Sequence, residues 1–270
     1  MKEMLKKFLS CQFLLLFKEY QKNKEEKQIK NTLENKREVK VLNREKKKEL
    51  KKSFKLITHT DPKSPISEQY RMLRTNIEYS SIDREIKTIL VTSPSPEEGK
   101  STTAVNLAIV LAQQEKKVLL VDADLRRPSV HYAFNSENLR GLTSVLAKQT
   151  NIENTISRTD IKNLHILTSG PIPPSPSDLL DSKAMESMLG YLNSKFDYII
   201  FDTPPALAVT DSQILANKCD GIVMVLKSRK TSKEAAIKTQ KLLTKGTALL
   251  LGVVLNEVTP DENNPYYVYK

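Results

Sequence analysis

Residues Thr88–Ser101, TILVTSPSPEEGKS, constrain the fold more than any other stretch of the chain. Thr88–Thr92 is a short, apolar, β-branched run, the pattern of a buried strand. A Ser/Pro/Glu turn follows. Gly99-Lys100-Ser101-Thr102 then opens a helical pattern carrying Ala104, Leu107, Ala108 and Leu111. Strand, tight loop, Gly-Lys-Ser and helix together describe a phosphate-binding loop. Such a loop turns backbone N–H groups inward, and the first helical turn adds unpaired donors and the positive end of its dipole. Glu97, Glu98, Gly99, Lys100, Ser101 and Thr102 are therefore candidate nucleotide contacts. Lys100 is suited to the β- and γ-phosphates and the Ser101 hydroxyl to Mg²⁺. The usual pattern starts with a glycine six residues before the lysine; this chain has Pro94 there.

Two further segments place carboxylates where a parallel sheet binds ligands. Val118–Pro128, VLLVDADLRRP, is an apolar strand that delivers Asp122 and Asp124 at its C-terminal end, the end at which open α/β sheets hold their ligands. Both carboxylates can orient Mg²⁺ or accept a proton, and Asp124 also reads as a simple turn former. Phe196–Pro205, FDYIIFDTPP, repeats the pattern with Asp202 at the strand tip, which is what a Walker B segment needs. Apolar strands at Gly221–Leu226 and Leu249–Leu255 follow, separated by a helical stretch at Ser232–Leu243. Strands alternating with helices predict parallel βαβ units and a doubly wound, mostly parallel α/β sheet flanked by helices.

The charge is uneven. Residues 1–55 hold 18 Lys+Arg and 8 Asp+Glu, a net of +10, while the remaining 215 hold 25 and 24. The basic character of the chain thus describes its N-terminal extension, and the main domain, residues 56–260, carries no charge signature of nucleic-acid binding. Met1–Tyr20 reads as an amphipathic helix, with Met4, Leu5, Phe8, Leu9 and Phe13 at helical spacing, followed by a polybasic run to Lys55. Two readings compete: an anchor for an anionic membrane surface or partner protein, and a solvated tail. No stretch reaches the ~20 apolar residues of a membrane span. Lys18-Glu19-Tyr20 stands where a signal peptide would carry small residues. Cys11 and Cys219 are far apart, and His59, His131 and His165 form no metal-ligand pattern.

Three more features ask for a use. On the helical stretch after Pro65, Glu68, Arg71 and Arg74 are spaced by three and share one side. They read as a solvated ridge or as a subunit contact in which Arg forks meet a neighbour's carboxylates. Ser169–Pro176 is a stiff proline-rich loop, suited to a lid, a substrate surface or a rigid connector. The tail, residues 261–270, is polar and turn-forming, yet holds Tyr266, Tyr267 and Tyr269 of the chain's nine tyrosines.

These motifs in this order resemble the bacterial tyrosine kinases of capsule and exopolysaccharide synthesis, the BY-kinases. That family carries a Walker A loop ending GKST, as Gly99–Thr102 does, a D-x-D-x-R-R-P segment matching Asp122–Pro128, and a D-T-P-P segment matching Asp202–Pro205. Its E-x-x-R-x-x-R helix matches Glu68, Arg71 and Arg74, and its terminal tyrosine cluster matches Tyr266, Tyr267 and Tyr269. The resemblance covers residues 56–270. Asp178 stands where the family usually has Glu after the proline-rich loop, and residues 1–55 extend beyond a free-standing kinase of this kind.

The resemblance implies an ATP- and Mg²⁺-dependent protein-tyrosine kinase that autophosphorylates its tyrosine cluster between subunits and regulates polysaccharide synthesis or export. It implies Lys100 on the γ-phosphate, Mg²⁺ held by Ser101, Asp124 and Asp202, and Asp122 as base, exchangeable with Asp124. It implies an adenine contact at Asn256, which reads equally as a strand-end turn residue. It further implies ring-like self-association through the Glu68–Arg74 ridge, a membrane activator protein, a phosphotyrosine phosphatase, and a cytoplasmic, membrane-peripheral location. The rival group is the septum-positioning and partitioning ATPases, P-loop switches of the same fold. They carry an extra lysine early in the loop, where Ser93-Pro94-Ser95-Pro96 has none.

Overall fold

The computed structural model describes residues 54–80 and 84–258. The chain divides into units 1–52 and 53–270, and all described residues lie in the second. The helix expected at Met1–Tyr20 and the tyrosines at 266, 267 and 269 fall outside the described residues.

Along the chain the elements are α1 (Ile57–Thr60), α2 (Pro65–Ser80), β1 (Thr88–Thr92), α3 (Lys100–Ala112), β2 (Val118–Asp122), α4 (Val130–Ala133), α5 (Leu142–Leu146), β3 (Ser157–Arg158), β4 (Leu164–Leu167), α6 (Pro176–Leu180), α7 (Lys183–Asn193), β5 (Tyr198–Asp202), α8 (Asp211–Ala216), β6 (Gly221–Lys227), α9 (Lys233–Leu243) and β7 (Leu249–Asn256). The strands form one sheet in the order β3-β4-β2-β5-β1-β6-β7. Every neighbouring pair is parallel except β3–β4, which is antiparallel. The short edge strand β3 was not anticipated, because two exposed residues carry no hydrophobic period.

β1, β2 and β5 are buried along their whole length, as strands with both faces covered must be. Successive side chains feed opposite cores. Leu90, Leu119, Val121 and Phe201 meet Met185 and Leu192 of α7 on one face. Ile89, Val91, Leu120 and Ile200 meet Leu107 and Leu111 of α3 on the other. From Thr103 to Ala112, α3 is buried all round, because α1 and α2 cover the side turned from the sheet. One polar residue interrupts it. Asn106 accepts from Thr58 N (3.1 Å) and Thr58 Oγ1 (2.9 Å) and donates to the carbonyls of Lys55 (2.8 Å) and Thr102 (2.9 Å). Its amide is fully satisfied, which makes its burial affordable.

The two ends of the sheet treat carboxylates differently. At the N-terminal end, Asp220 accepts from Lys87 N, Thr88 N and Thr88 Oγ1, and Asp197 accepts from Lys117 N. These acids are used up as strand anchors. At the C-terminal end, the pairing sets Asp122 level with Asp202, and Asp202 level with Val91 of β1. The ends of three adjacent strands thus present their residues at one height.

Candidate active site

The loop after β1 is shaped by two left-handed residues, Glu97 (φ 62°) and Gly99 (φ 93°). Gly99 has a second reason to be glycine: a Cβ there would lie 2.0 Å from Nδ2 of Asn256. Alternation of left- and right-handed residues turns successive N–H groups into a concavity that suits anions, and α3 begins directly at Lys100. The loop is stitched to its surroundings. Ser93 O accepts from Ala206 N (2.8 Å), Thr203 Oγ1 donates to Val91 O (3.0 Å), and Thr92 Oγ1 donates to Pro204 O (2.9 Å).

Lys100 reaches into the crevice. Its Nζ lies 3.2 Å from Asp124 Oδ2 and 3.9 Å from Asp202 Oδ1, and it donates to Ser101 Oγ at 3.2 Å. Burial pulls the ammonium pKa down, but Asp202 and Asp124 outweigh it and the net shift is upward. Lys100 therefore stays charged. Asp124 also accepts from Arg127 N through Oδ1 (3.0 Å), so it forms a turn and faces the lysine at once.

Asp122 is fully buried. Its Oδ2 accepts from Ser129 N (2.8 Å) and Val130 N (2.9 Å), while Oδ1 has no hydrogen-bond partner. Burial first, and the charge of Asp202 second, push its pKa up to about 8 despite those two N–H donors. Burial likewise raises Asp202 to about 6, against the pull of Lys100 and the Ser101 hydroxyl. Neither oxygen of Asp202 has a hydrogen bond of good geometry. Leaving a buried carboxylate unsatisfied is costly, and a site waiting for a cation explains why it is kept. Among the described residues no group of three His, Cys, Asp or Glu could hold a metal alone. Mg²⁺ needs no such group, since it takes one or two carboxylates together with phosphate oxygens. The donors present fit it.

Asp211 and Thr231 bring the site together without having been singled out, and Glu98 does so in a way other than the expected one. Arg126 makes a two-pronged ion pair with the fully buried Asp211 of α8, Nε to Oδ2 at 2.9 Å and Nη2 to Oδ1 at 3.1 Å. The pair ties the loop carrying Asp124 to the helix that follows the Asp202 loop. Glu98 is buried and turned inward: its Oε2 accepts from Ser95 N (3.1 Å) and its Oε1 from Thr231 Oγ1 (2.6 Å). Its carboxylate braces the loop, so only its backbone faces a ligand. Thr231 and Asp211 lie 133 and 85 residues along the chain from the groups they hold, and only the acid at the start of a helix hinted at one of them.

The AAA domain family model matches residues 86–245. The tyrosine-protein kinase YwqD of Bacillus subtilis is 51% identical over 214 residues, 79% of this chain and 90% of the relative. The putative tyrosine-protein kinase CapB of Staphylococcus aureus is 39% identical over 214 residues, 79% of this chain and 94% of CapB. The solved kinase domain of the Escherichia coli tyrosine kinase ETK superposes with a TM-score of 0.73 at 31% identity, covering 81% of this chain and 86% of that one. This chain belongs to the bacterial tyrosine kinases of capsule and exopolysaccharide synthesis.

Within this BY-kinase the remaining expected residues fall as follows. Asn256 ends β7 and donates from Nδ2 to the Glu98 carbonyl at 3.1 Å, beside the loop rather than across the carboxylates. Ser101 and Thr102 are half-buried in the first turn of α3. The charged ridge on α2 is not a free face. Glu68 and Arg71 pair with each other at 2.6 Å. Arg74 is mostly buried and donates to Val110 O of α3 at 3.2 Å. Of the three, Glu68 and Arg71 point outward, while Arg74 joins two helices of one molecule.

Proposed function

We propose that this kinase binds ATP with Mg²⁺ at the ends of β1, β2 and β5 and transfers the γ-phosphoryl group to Tyr266, Tyr267 and Tyr269 of a neighbouring copy. The observation that carries this is the approach of Lys100 to Asp124 and Asp202, with Asp122 level with Asp202 and buried carboxylate oxygens left unsatisfied.

Backbone N–H groups between Glu97 and Thr102 hold the β-phosphate, and Lys100 neutralises charge on the γ-phosphate. Ser101 Oγ, Asp124 and Asp202 are the residues to hold Mg²⁺, which when bound draws charge from the phosphate oxygens. The tyrosine oxygen forms a bond to the γ-phosphorus as the bond from phosphorus to the bridging oxygen breaks and ADP leaves. The phenolic proton passes to Asp122. An ordinary aspartate is a weak acceptor for a hydroxyl with pKa about 10, whereas a carboxyl raised to about 8 is matched to the task near neutral pH. Asn256, beside the loop, is placed to meet the base of the nucleotide.

Phosphorylation of the cluster then regulates capsular or exopolysaccharide synthesis and export. Self-association into a ring-like oligomer uses the outward part of the α2 ridge. A membrane adaptor activates the kinase at the inner face of the membrane, and a phosphotyrosine phosphatase resets it. The kinase reading is favoured over an ATPase switch of the septum-positioning type by the 51%-identical relative and by the base-like Asp122.

The test is mass spectrometry of the full-length protein after incubation with Mg-ATP. Phosphate is expected on the three tail tyrosines and absent in Lys100→Met. Phosphotyrosine on purified Lys100→Met protein would show that the chemistry lies elsewhere.

A further inference from the structure

Beside the crevice, on the β4 side, two loops are zipped into one platform. Leu142 N and Thr143 N donate to the carbonyls of Thr168 and Ser169, each at 2.8 Å. Asn138 closes the other end, accepting from Gly170 N at 2.7 Å and donating to Gly170 O at 3.1 Å. The backbones approach so closely that a Cβ at Gly141 would lie 2.1 Å from Thr168 O, and Gly170 itself has φ 78°. Pro171, Pro173 and Pro174 stiffen the segment beyond. The register pairs Val121 with Leu167, so Asp122 is level with Thr168, where the platform begins.

This rigid platform carries two of the three most exposed large apolar side chains among the described residues, Leu139 (74%) and Ile172 (64%). A single exposed leucine means little. Two on hydrogen-bonded loops at the ligand end of the sheet, one strand from the proposed base, form a lip that excludes little water until something covers it.

We infer that Leu139 and Ile172 dock the acceptor segment, namely the Pro265–Tyr269 stretch of a second copy of this chain. This deepens the reading of the tail as acceptor and rests on it. The chemistry matches: Pro265-Tyr266-Tyr267-Val268-Tyr269 is the most aromatic stretch in the sequence, and apolar pockets beside a phosphoryl donor select such peptides by burial. The copy is chosen by distance. β4 lies five strand spacings from β7, about 24 Å at the usual interstrand separation. Ten residues separate Asn256 from Tyr266, a separation whose mean span at ordinary linker dimensions is about 18 Å. The tail would also have to cross the phosphate loop at the end of β1. A neighbour's tail approaches from the β4 side without that crossing.

The test mixes two full-length proteins. The acceptor copy carries Lys100→Met, and the enzyme copy carries Tyr266→Phe, Tyr267→Phe and Tyr269→Phe. Adding Leu139→Ser and Ile172→Ser to the enzyme copy should raise the acceptor concentration for half-maximal rate about tenfold. The maximal rate and the affinity for ADP should not move. The same pair placed in the acceptor copy should change nothing. An unchanged half-maximal concentration overturns the lip, and so does a loss that is equal in either copy, which would mark an assembly face. Phosphate on the tail of the unsubstituted enzyme, with none transferred to the Lys100→Met copy, overturns the second-copy occupant. Absence of phosphate from every tail, with the unsubstituted enzyme, overturns the acceptor reading itself, and is thereby distinguished from failure of the lip alone.

Discussion

Asp122 and Asp202 are both fully buried with carboxylate oxygens that lack hydrogen-bond partners, and their pH behaviour follows. The folded pKa of Asp122, about 8, and that of Asp202, about 6, both lie above the ordinary value of 3.8. The folded state therefore holds more protons than the unfolded state between about pH 4 and 8. Stability supplied by the protonated carboxyls is complete below pH 4 and is lost as pH rises through 6 and then 8. The melting temperature of the nucleotide-free protein should accordingly fall from pH 5.5 to pH 8.5. Asp122→Asn, which cannot ionise, should flatten that fall while removing phosphoryl transfer. Calorimetric scans of both proteins across this range check it, and parallel slopes would place the titration elsewhere. Asp211 makes a second residue-scale case. Asp211→Asn leaves Arg126 without its charged partner, and because that guanidinium is 41% exposed the loss of stability is about 1–2 kcal/mol rather than the larger cost of a fully buried pair. The sharper expectation concerns Mg²⁺. ADP affinity measured with Mg²⁺ should weaken several-fold, while ADP affinity with chelator present should not, since the pair positions the Asp124 loop against the Asp202 loop and touches no phosphate.

At the scale of elements, α2 separates two kinds of arginine that sequence spacing makes look alike. Arg71 pairs with Glu68 and donates to the Pro62 carbonyl, both at the exposed surface, whereas Arg74 is mostly buried and spans to the Val110 carbonyl of another helix. Arg74→Ala should lower unfolding free energy by about 1–2 kcal/mol, the worth of a charged hydrogen bond to a carbonyl. Arg71→Ala, which removes exposed bonds to Glu68 and to the Pro62 carbonyl, should cost less, under about 1 kcal/mol. If self-association uses the outward ridge, Arg71→Ala alone shifts the mass measured by light scattering toward monomer, while lowering the melting temperature less than Arg74→Ala does. The same contrast shows what the sequence carried. The strands β1, β2 and β5 were legible because burial on both faces demands unbroken apolar runs, and the acids at their tips stood out against them. In FDYIIFD the two aspartates look equivalent, yet Asp197 is spent on Lys117 N and Asp202 is left open; only parallel polarity tells which end faces ligand. Glu98 misled for a related reason. A carboxylate in a phosphate loop reads as a contact, but its partners are Ser95 of the same loop and Thr231 of the loop after β6, and spacing cannot reveal a partner 133 residues away.

For the whole molecule the charge ledger divides the chain into a body that is nearly neutral and an extension of net +10 over residues 1–55. Basic residues near an anionic bilayer contribute about 1 kcal/mol each, within a Debye length of about 8 Å at physiological salt. About eight of the extension's 18 basic residues at the surface would suffice for micromolar attachment. The body offers no comparable source, and no helix among the described residues is long and apolar enough to cross a membrane. The full-length protein should therefore sediment with vesicles containing anionic lipid, remain free of vesicles made only of neutral lipid, and detach as salt is raised. A chain beginning at Ser53 should stay in the supernatant in every case while keeping its affinity for Mg-ADP, because the Asn106 bonds to Lys55 and Thr58 that brace α3 are retained. Retention of vesicle binding by the shorter chain would move the attachment to the kinase body, and a salt-insensitive full-length protein would assign it to the apolar residues of Met1–Tyr20 rather than to charge.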